Sequence, residues 1–311
     1  MADKPSRALV LYGDGLARSI SPTQTHLHTF ASRAYCGFMA LPNAPPSENE
    51  DARIIREFAE LVDANEAFEN LDVKSEDKNQ KPSPFPSIGE RFMGMKAAII
   101  TDNLGLKYFG DALGFKVFQW NEICSKTHCI TESPLLASDL LKLLGFQDGK
   151  TQENFLFDLV FVHLEASKNE NGLKDLEFLD RLVGDLLHTA GPETDVGSRL
   201  HMSVVLSYGA TSGDSDLEFS FVDAKSKSNA ETLPFYPRQS YMMKSGKPRE
   251  NIRQHCPMLL AQYQKAVTRV DMVKSFSFRD FVENGGNLVI PADRFLHEVA
   301  FKLWKAPKYG A

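Results

Sequence analysis

Arg7-Ala-Leu-Val-Leu-Tyr-Gly-Asp-Gly15 is the stretch on which the fold turns. Its run of apolar residues, Ala8 to Leu11, predicts a buried strand, and Gly13-Asp14-Gly15 ends that strand abruptly. One carboxylate, Asp14, is thereby set at the carboxyl end of a strand, between glycines that let a ligand approach the backbone. In open α/β sheets the crevice outside the strand ends is where ligands bind, and an Asp there is a natural hard ligand for a divalent cation. The same three residues also suit a tight turn, so both readings stand at this point.

Working outward, strands alternate with helices. Helices are expected at Thr23–Tyr35, behind Ser21-Pro22, and at Glu50–Glu69, where Ile54, Phe58, Leu61 and Val62 recur at helical spacing. Further strands are expected at Met95–Thr101, Phe115–Trp120, Phe155–Leu164 and Met202–Ser207, with an edge strand at Leu217–Val222. Between them lie helical patterns at Leu104–Leu113, Ser133–Leu144 (stopped by Gly145) and Leu173–Ala190. This rhythm predicts an α/β fold, a mostly parallel central sheet with helices on both faces. The expected organisation is a single domain over residues 1–311. Asp72–Glu90, rich in Lys, Glu, Ser and Pro, reads as a mobile loop. From Pro234 the pattern becomes irregular: Met258–Val267 and Phe278–Val282 read as helical pieces, Leu288–Ile290 follows a glycine turn, and Pro291–Trp304 reads as a last helix. This tail is expected to pack on the sheet.

Bulk properties exclude several classes. A net charge of -6 with no basic tract argues against a nucleic-acid surface. No apolar run approaches the roughly 18 residues of a membrane span, and Met1-Ala-Asp-Lys-Pro-Ser has no signal core, so a cytoplasmic location is expected. Cys124, His128 and Cys129 do not have zinc-knuckle spacing. No glycine pattern matches a dinucleotide fingerprint or P-loop, and no Gly-x-Ser-x-Gly elbow is present.

Three segments together resemble the alkaline phosphatase superfamily, and within it the archaeal-type cofactor-independent phosphoglycerate mutases. They are Val10–Gly15 with Ser21-Pro22-Thr23 and Arg33–Gly37, then Lys96–Thr101 with Gly114–Val117, and Phe157–Leu164 with Gly172, Lys174 and Leu179-Asp180. The resemblance implies the superfamily fold, two divalent cations held by Asp and His, and a Ser or Thr that accepts a phosphoryl group. Asp14 matches the first metal-ligand position. The pattern then departs: after His163 the family has an Asp and a Gly-His pair, where this chain has Ala166-Ser-Lys168-Asn169 and onward to Gly172. After Ser207 the family's Asp-His is replaced by Tyr208-Gly209. Lys168 or Asn169, depending on alignment, takes the family's Asp position, and an ammonium there would repel a cation. Dimetal phosphoryl transfer is therefore expected to be lost, leaving a protein that binds a small anionic ligand or a protein partner. The competing expectation is an active metal-dependent phosphatase, phosphodiesterase or phosphomutase with a rearranged site.

Two residue groups could build such a site. His163 and Glu165 alternate on one strand and so share a face; with Asp14 they could serve as an acid/base group or hold a single divalent cation, no other cofactor being expected. A hydrogen-bonded His at a sheet edge and a solvated Glu would give the same pattern. Arg18, Arg238, Lys244 and Arg249 are candidate phosphate ligands, since guanidinium groups grip phosphate bidentately. A basic loop balanced by neighbouring acids is the alternative.

Overall fold

The computed structural model describes residues 5–45, 48–73, 85–123, 133–166, 172–191, 194–210, 243–244, 246–253, 256–286 and 289–307. In chain order, β1 (Arg7–Asp14) leads to α1 (Thr25–Ala31), β2 (Tyr35–Ala40), α2 (Glu50–Leu61), α3 (Asn65–Val73) and the single turn α4 (Ile88–Arg91). Next come β3 (Ala97–Ile100), α5 (Leu104–Ala112), β4 (Lys116–Phe118), α6 (Trp120–Ile123) and α7 (Ser133–Leu143). A small hairpin, β5 (Phe146–Gln147) and β6 (Lys150–Thr151), precedes β7 (Leu159–Glu165), α8 (Gly172–Thr189), α9 (Asp195–Arg199) and β8 (Leu200–Leu206). A ribbon of β9 (Met243–Lys244) and β10 (Lys247–Pro248) is followed by β11 (Met258–Tyr263), α10 (Phe278–Asn284), β12 (Val289–Pro291) and α11 (Phe295–Lys302).

Eight strands form one sheet in the order β12-β2-β11-β8-β1-β7-β3-β4. Every pairing is parallel except those of β11, which runs antiparallel between β2 and β8. All eight residues of β1 are buried, as a strand covered on both faces requires. Side chains alternate between the faces: Leu9, Leu11, Val160, Val162 and Val204 join one core with residues of α1, α7 and α8. Ala8, Val10, Tyr12, Leu159, Phe161 and Val205 join the other, with α2, α5 and α11. The central strands thus end together at one edge, with Asp14 and Glu165 paired there.

Several expectations need correction. Met258–Tyr263 is a strand, because six apolar-rich residues satisfy either periodicity and only the slot between β2 and β8 decides. Tyr35–Ala40 is also a strand; α1 ends at Ala31, and Cys36 and Phe38 face the core. The expected helix Glu50–Glu69 is two helices, broken where Asp63 takes a positive φ of 49°. Ser87 and Glu90 close a capping box, so the end of the expected Asp72–Glu90 loop is a helical turn. Positions 74–84 of that loop, the expected strand Leu217–Val222, Arg238 and the Cys124–Cys129 group lie outside the described residues.

Gly145 does stop α7, at φ +70°. A Cβ there would lie 2.5 Å from Phe155 Cβ and 2.7 Å from Arg7 Nη1. That arginine donates to the Leu144, Gly145 and Gln152 carbonyls and stacks 4.0 Å over Phe155. Gly145→Ala combines left-handed strain with overpacking, so a loss of about 2–4 kcal/mol is expected in urea denaturation. A loss below 0.5 kcal/mol would count against this account of the turn (about the level of a neutral surface change).

Candidate functional site

The strand ends bring three of the expected residues together. β1 and β7 pair Tyr12 with His163 and Asp14 with Glu165, so all four project from one face. Asp14 is 1% exposed and His163 3%. The His163 Nδ1 lies 2.9 Å from the Thr101 hydroxyl, while its Nε2 is buried with no hydrogen-bond partner. Asn103, the N-cap of α5, donates from its amide nitrogen to Glu165 at 3.0 Å.

The partner of Asp14 is a residue that strand patterning does not single out. Arg53, from the second turn of α2, donates bidentately: Nη1 to Oδ1 at 2.8 Å and Nη2 to Oδ2 at 2.7 Å. Ser207, at the end of β8, donates to Oδ1 at 2.7 Å and accepts from the Gly15 N–H. Arg53 also reaches Glu50 at 2.6 Å and Glu57 at 3.0 Å, and Arg253 approaches Glu57 at 3.5 Å. Arg53, Arg56, Glu57 and Glu60 are all buried, so the charges of α2 face inward beside its apolar stripe. Spacing alone places them on the helix; it does not say that the sheet end beneath them carries a carboxylate.

Burial works against ionised Asp14, but the Arg53 guanidinium, aided by His163 and Ser207, holds its carboxyl below the usual range. Burial also opposes the Arg53 charge, yet Asp14 and Glu50 raise its affinity for the proton. Burial pushes Glu57 up against the pull of Arg253 and Arg53. His163 is pushed down to about 4 by burial, despite the nearby Asp14 charge.

The expected phosphate ligands do not converge on Asp14. Arg18 donates to the carbonyls of Tyr208 and Ala210, at 2.6 and 2.7 Å. Lys244 pairs with Asp293 at 2.7 Å and Asp63 at 3.0 Å, and Arg249 pairs with Asp293 at 2.9 Å. Both are thus paired with acids, Asp293 lying between them. They line a groove of about 580 Å³ between α2, α3 and the β9–β10 ribbon, together with Arg56, Glu60 and Phe68. Glu60 in that groove is pushed up to about 7, chiefly by burial.

His163 and Glu60 give opposite pH responses. The folded-state value of His163 is depressed, so its contribution is intact above about 6.5 and is lost as pH falls toward about 4. That of Glu60 is raised, so its contribution is intact below about 4.5 and is lost as pH rises through about 7. The two offset each other in wild type. His163→Gln removes one of them. Relative to wild type, this variant is expected to gain about 2 kcal/mol between roughly pH 7.5 and pH 5 in paired denaturation curves. A difference that does not change with pH would refute the assignment.

No family model and no curated protein matches this sequence. Solved structures do. The PH0037 protein from Pyrococcus horikoshii is similar at TM-score 0.59 and 13% identity, over 99% of both chains. A cofactor-independent phosphoglycerate mutase from Thermoplasma acidophilum is similar at TM-score 0.50 and 12% identity, covering 96% of this chain and 99% of that one. The lipoteichoic acid synthase LtaP from Listeria monocytogenes is similar at TM-score 0.51 and 8% identity, covering 99% of this chain and 74% of that one. The fold is thus similar to that of a cofactor-independent phosphoglycerate mutase, a mostly parallel sheet with helices on both faces.

Members of the alkaline phosphatase superfamily, which the sequence resembles, use divalent metals. The surroundings of Asp14 do not suit such an ion. Both carboxylate oxygens are engaged by a guanidinium, and a second cation within about 4 Å of it would meet repulsion of roughly 4 kcal/mol per unit charge at an effective dielectric near 20. Among the described residues, no three His, Cys, Asp or Glu side chains stand close enough to share an ion, and no helix is long and apolar enough to cross a membrane.

Proposed function

We propose that this protein keeps the phosphoglycerate mutase-like scaffold, has given up dimetal phosphoryl transfer, and works by binding a small anionic molecule. The observation that carries this reading is the bidentate Arg53–Asp14 pair, which puts a fixed guanidinium where the superfamily resemblance expects a metal ion. A guanidinium supplies positive charge but has no vacant coordination position, so it cannot activate a nucleophile or a water as a metal does. A separate groove, lined by Arg56, Lys244, Arg249 and Asp293, is the candidate place for an anionic ligand. Its buried Arg56 Nη1 and Arg249 Nε have no hydrogen-bond partner, and Glu60, titrating near 7, lessens the negative charge opposite them. Glu66, Glu69 and Glu250 are exposed on the rim, where solvent screens them.

Metal analysis of the purified protein, with phosphate release from phosphoglycerate and other phosphorylated metabolites, tests the loss of chemistry. Substoichiometric metal and no release with any added divalent ion are expected. Two stoichiometric ions, with phosphate release abolished by Asp14→Ala, would instead establish an active enzyme with a rearranged site. Thermal shift with the same metabolites tests binding. At least one should raise Tm, and Arg249→Ala should weaken it roughly tenfold, the effect of about 1.4 kcal/mol. If none binds while a protein co-purifies stoichiometrically, partner binding replaces ligand binding as the function.

A further inference from the structure

The inner charges of the groove between α2, α3 and the β9–β10 ribbon stand in pairs, with one carboxylate left over. Glu48 accepts from Arg56 at 2.9 Å, and Asp293 accepts from Lys244 at 2.7 Å and from Arg249 at 2.9 Å. Asp63, which also meets Lys244, is balanced on another side by Arg91 at 3.7 Å. The carboxylate left over is Glu60, 8% exposed, whose hydrogen-bond partner is the Asn65 side chain at the start of α3 rather than a cation. Glu60 also lies in the last turn of α2, where no basic residue is present. The carbonyls at a helix C-terminus carry partial negative charge, which disfavours a carboxylate beside them.

We propose that an oxyanion enters this groove together with one proton, which Glu60 takes up, so that the site holds its ligand in acid and releases it in alkali. This inference rests on the reading of the groove as an anion site. With Glu60 ionised, the cations Arg56, Lys244 and Arg249 are matched by Glu48, Asp293 and Glu60, and nothing remains to balance an incoming anion. Protonation removes one of these negative charges and leaves a surplus of one positive charge. It also turns the carboxyl into an O–H donor that can bond an anion oxygen, where the carboxylate could only repel it. Burial sets this proton's equilibrium at about 7, so both forms are populated near neutral pH. The other charges around Glu60 are held elsewhere or lie in solvent. On α2, Glu57 faces Arg53 and Arg253; on α3, Glu66 and Glu69 are exposed, as is Glu250 on the ribbon side. In the turn after β12, Asp293 is occupied as described and Arg294 donates to the Met243 carbonyl, while His297 of α11 bonds Asp63 at 2.9 Å.

Sulfate is the probe, because its charge does not change between pH 6 and pH 8.5. Full-length wild type, Glu60→Gln and Arg249→Ala are titrated with it at both pH values by calorimetry, in two buffers of different ionisation enthalpy. Wild type should bind roughly thirtyfold more weakly at pH 8.5 than at pH 6, and at the higher pH should take up close to one proton per sulfate. Glu60→Gln, neutral throughout, should bind at pH 8.5 about as tightly as wild type at pH 6, with no proton uptake. Arg249→Ala should weaken sulfate at both pH values. A Glu60→Gln variant that keeps the wild-type pH slope overturns the proposal. So does wild type that binds sulfate equally at both pH values without taking up a proton, a result that stands even if Glu60→Gln folds poorly. Failure of the underlying reading looks different: sulfate would bind neither wild type nor Glu60→Gln at pH 6, or its binding would be unchanged by Arg249→Ala, and the proposal would fall with it.

Discussion

Arg53→Met is expected to cost roughly 3–5 kcal/mol of folding stability, the range for breaking a buried ion pair from one side. The lost attraction is the smaller part of this. Asp14 and Glu57, buried at 1% and 0% exposure, would remain without their principal hydrogen-bond donor. Ser207 cannot replace it, because one hydroxyl supplies one hydrogen bond to Asp14. The pair itself need not be worth so much, since taking two ions out of water offsets most of their attraction. The double variant Asp14→Leu/Arg53→Met should therefore recover much of the loss. A double-mutant cycle in urea decides the point: additive losses would show that Arg53 and Asp14 are not a coupled unit.

Phe161→Ala should cost a similar amount, about 3–5 kcal/mol, for a different reason. Phe161 has no exposure and lies at the middle of β7, facing α2, α5 and α11. Its ring meets Phe58 at 5.5 Å, Phe115 at 6.1 Å and Phe295 at 6.4 Å, in edge-to-face geometry that adds to the burial itself. The sheet beneath it is paired on both sides and has little freedom to collapse into the space left behind. Phe161→Leu should lose much less. Equal losses from the two substitutions would contradict a cavity origin.

The elements that could be read from the sequence are those whose pattern is local. Residues Ala8–Leu11 and the apolar run of β7 allow one interpretation, because a short, wholly apolar segment after which the chain turns sharply belongs inside a covered sheet. That His163 and Glu165 share a face followed from strand alternation, whereas their register against Tyr12 and Asp14 is set by the pairing of β1 with β7. β11 was ambiguous because six residues cannot distinguish a period of two from one of 3.6. Lys244 and Arg249 suited phosphate binding or pairing with acids equally well in sequence; Asp293, more than forty positions away, lies between them in the fold.

The residues by themselves determined an α/β sheet with Asp14 at its carboxyl edge, since burial pattern and turn chemistry act between near neighbours. What occupies that edge was decided only on folding. Arg53 lies 39 positions from Asp14, on a helix whose charges look like an ordinary solvated face. Packing of α2 across the strand ends carries those charges out of water, and a buried carboxylate then requires a partner.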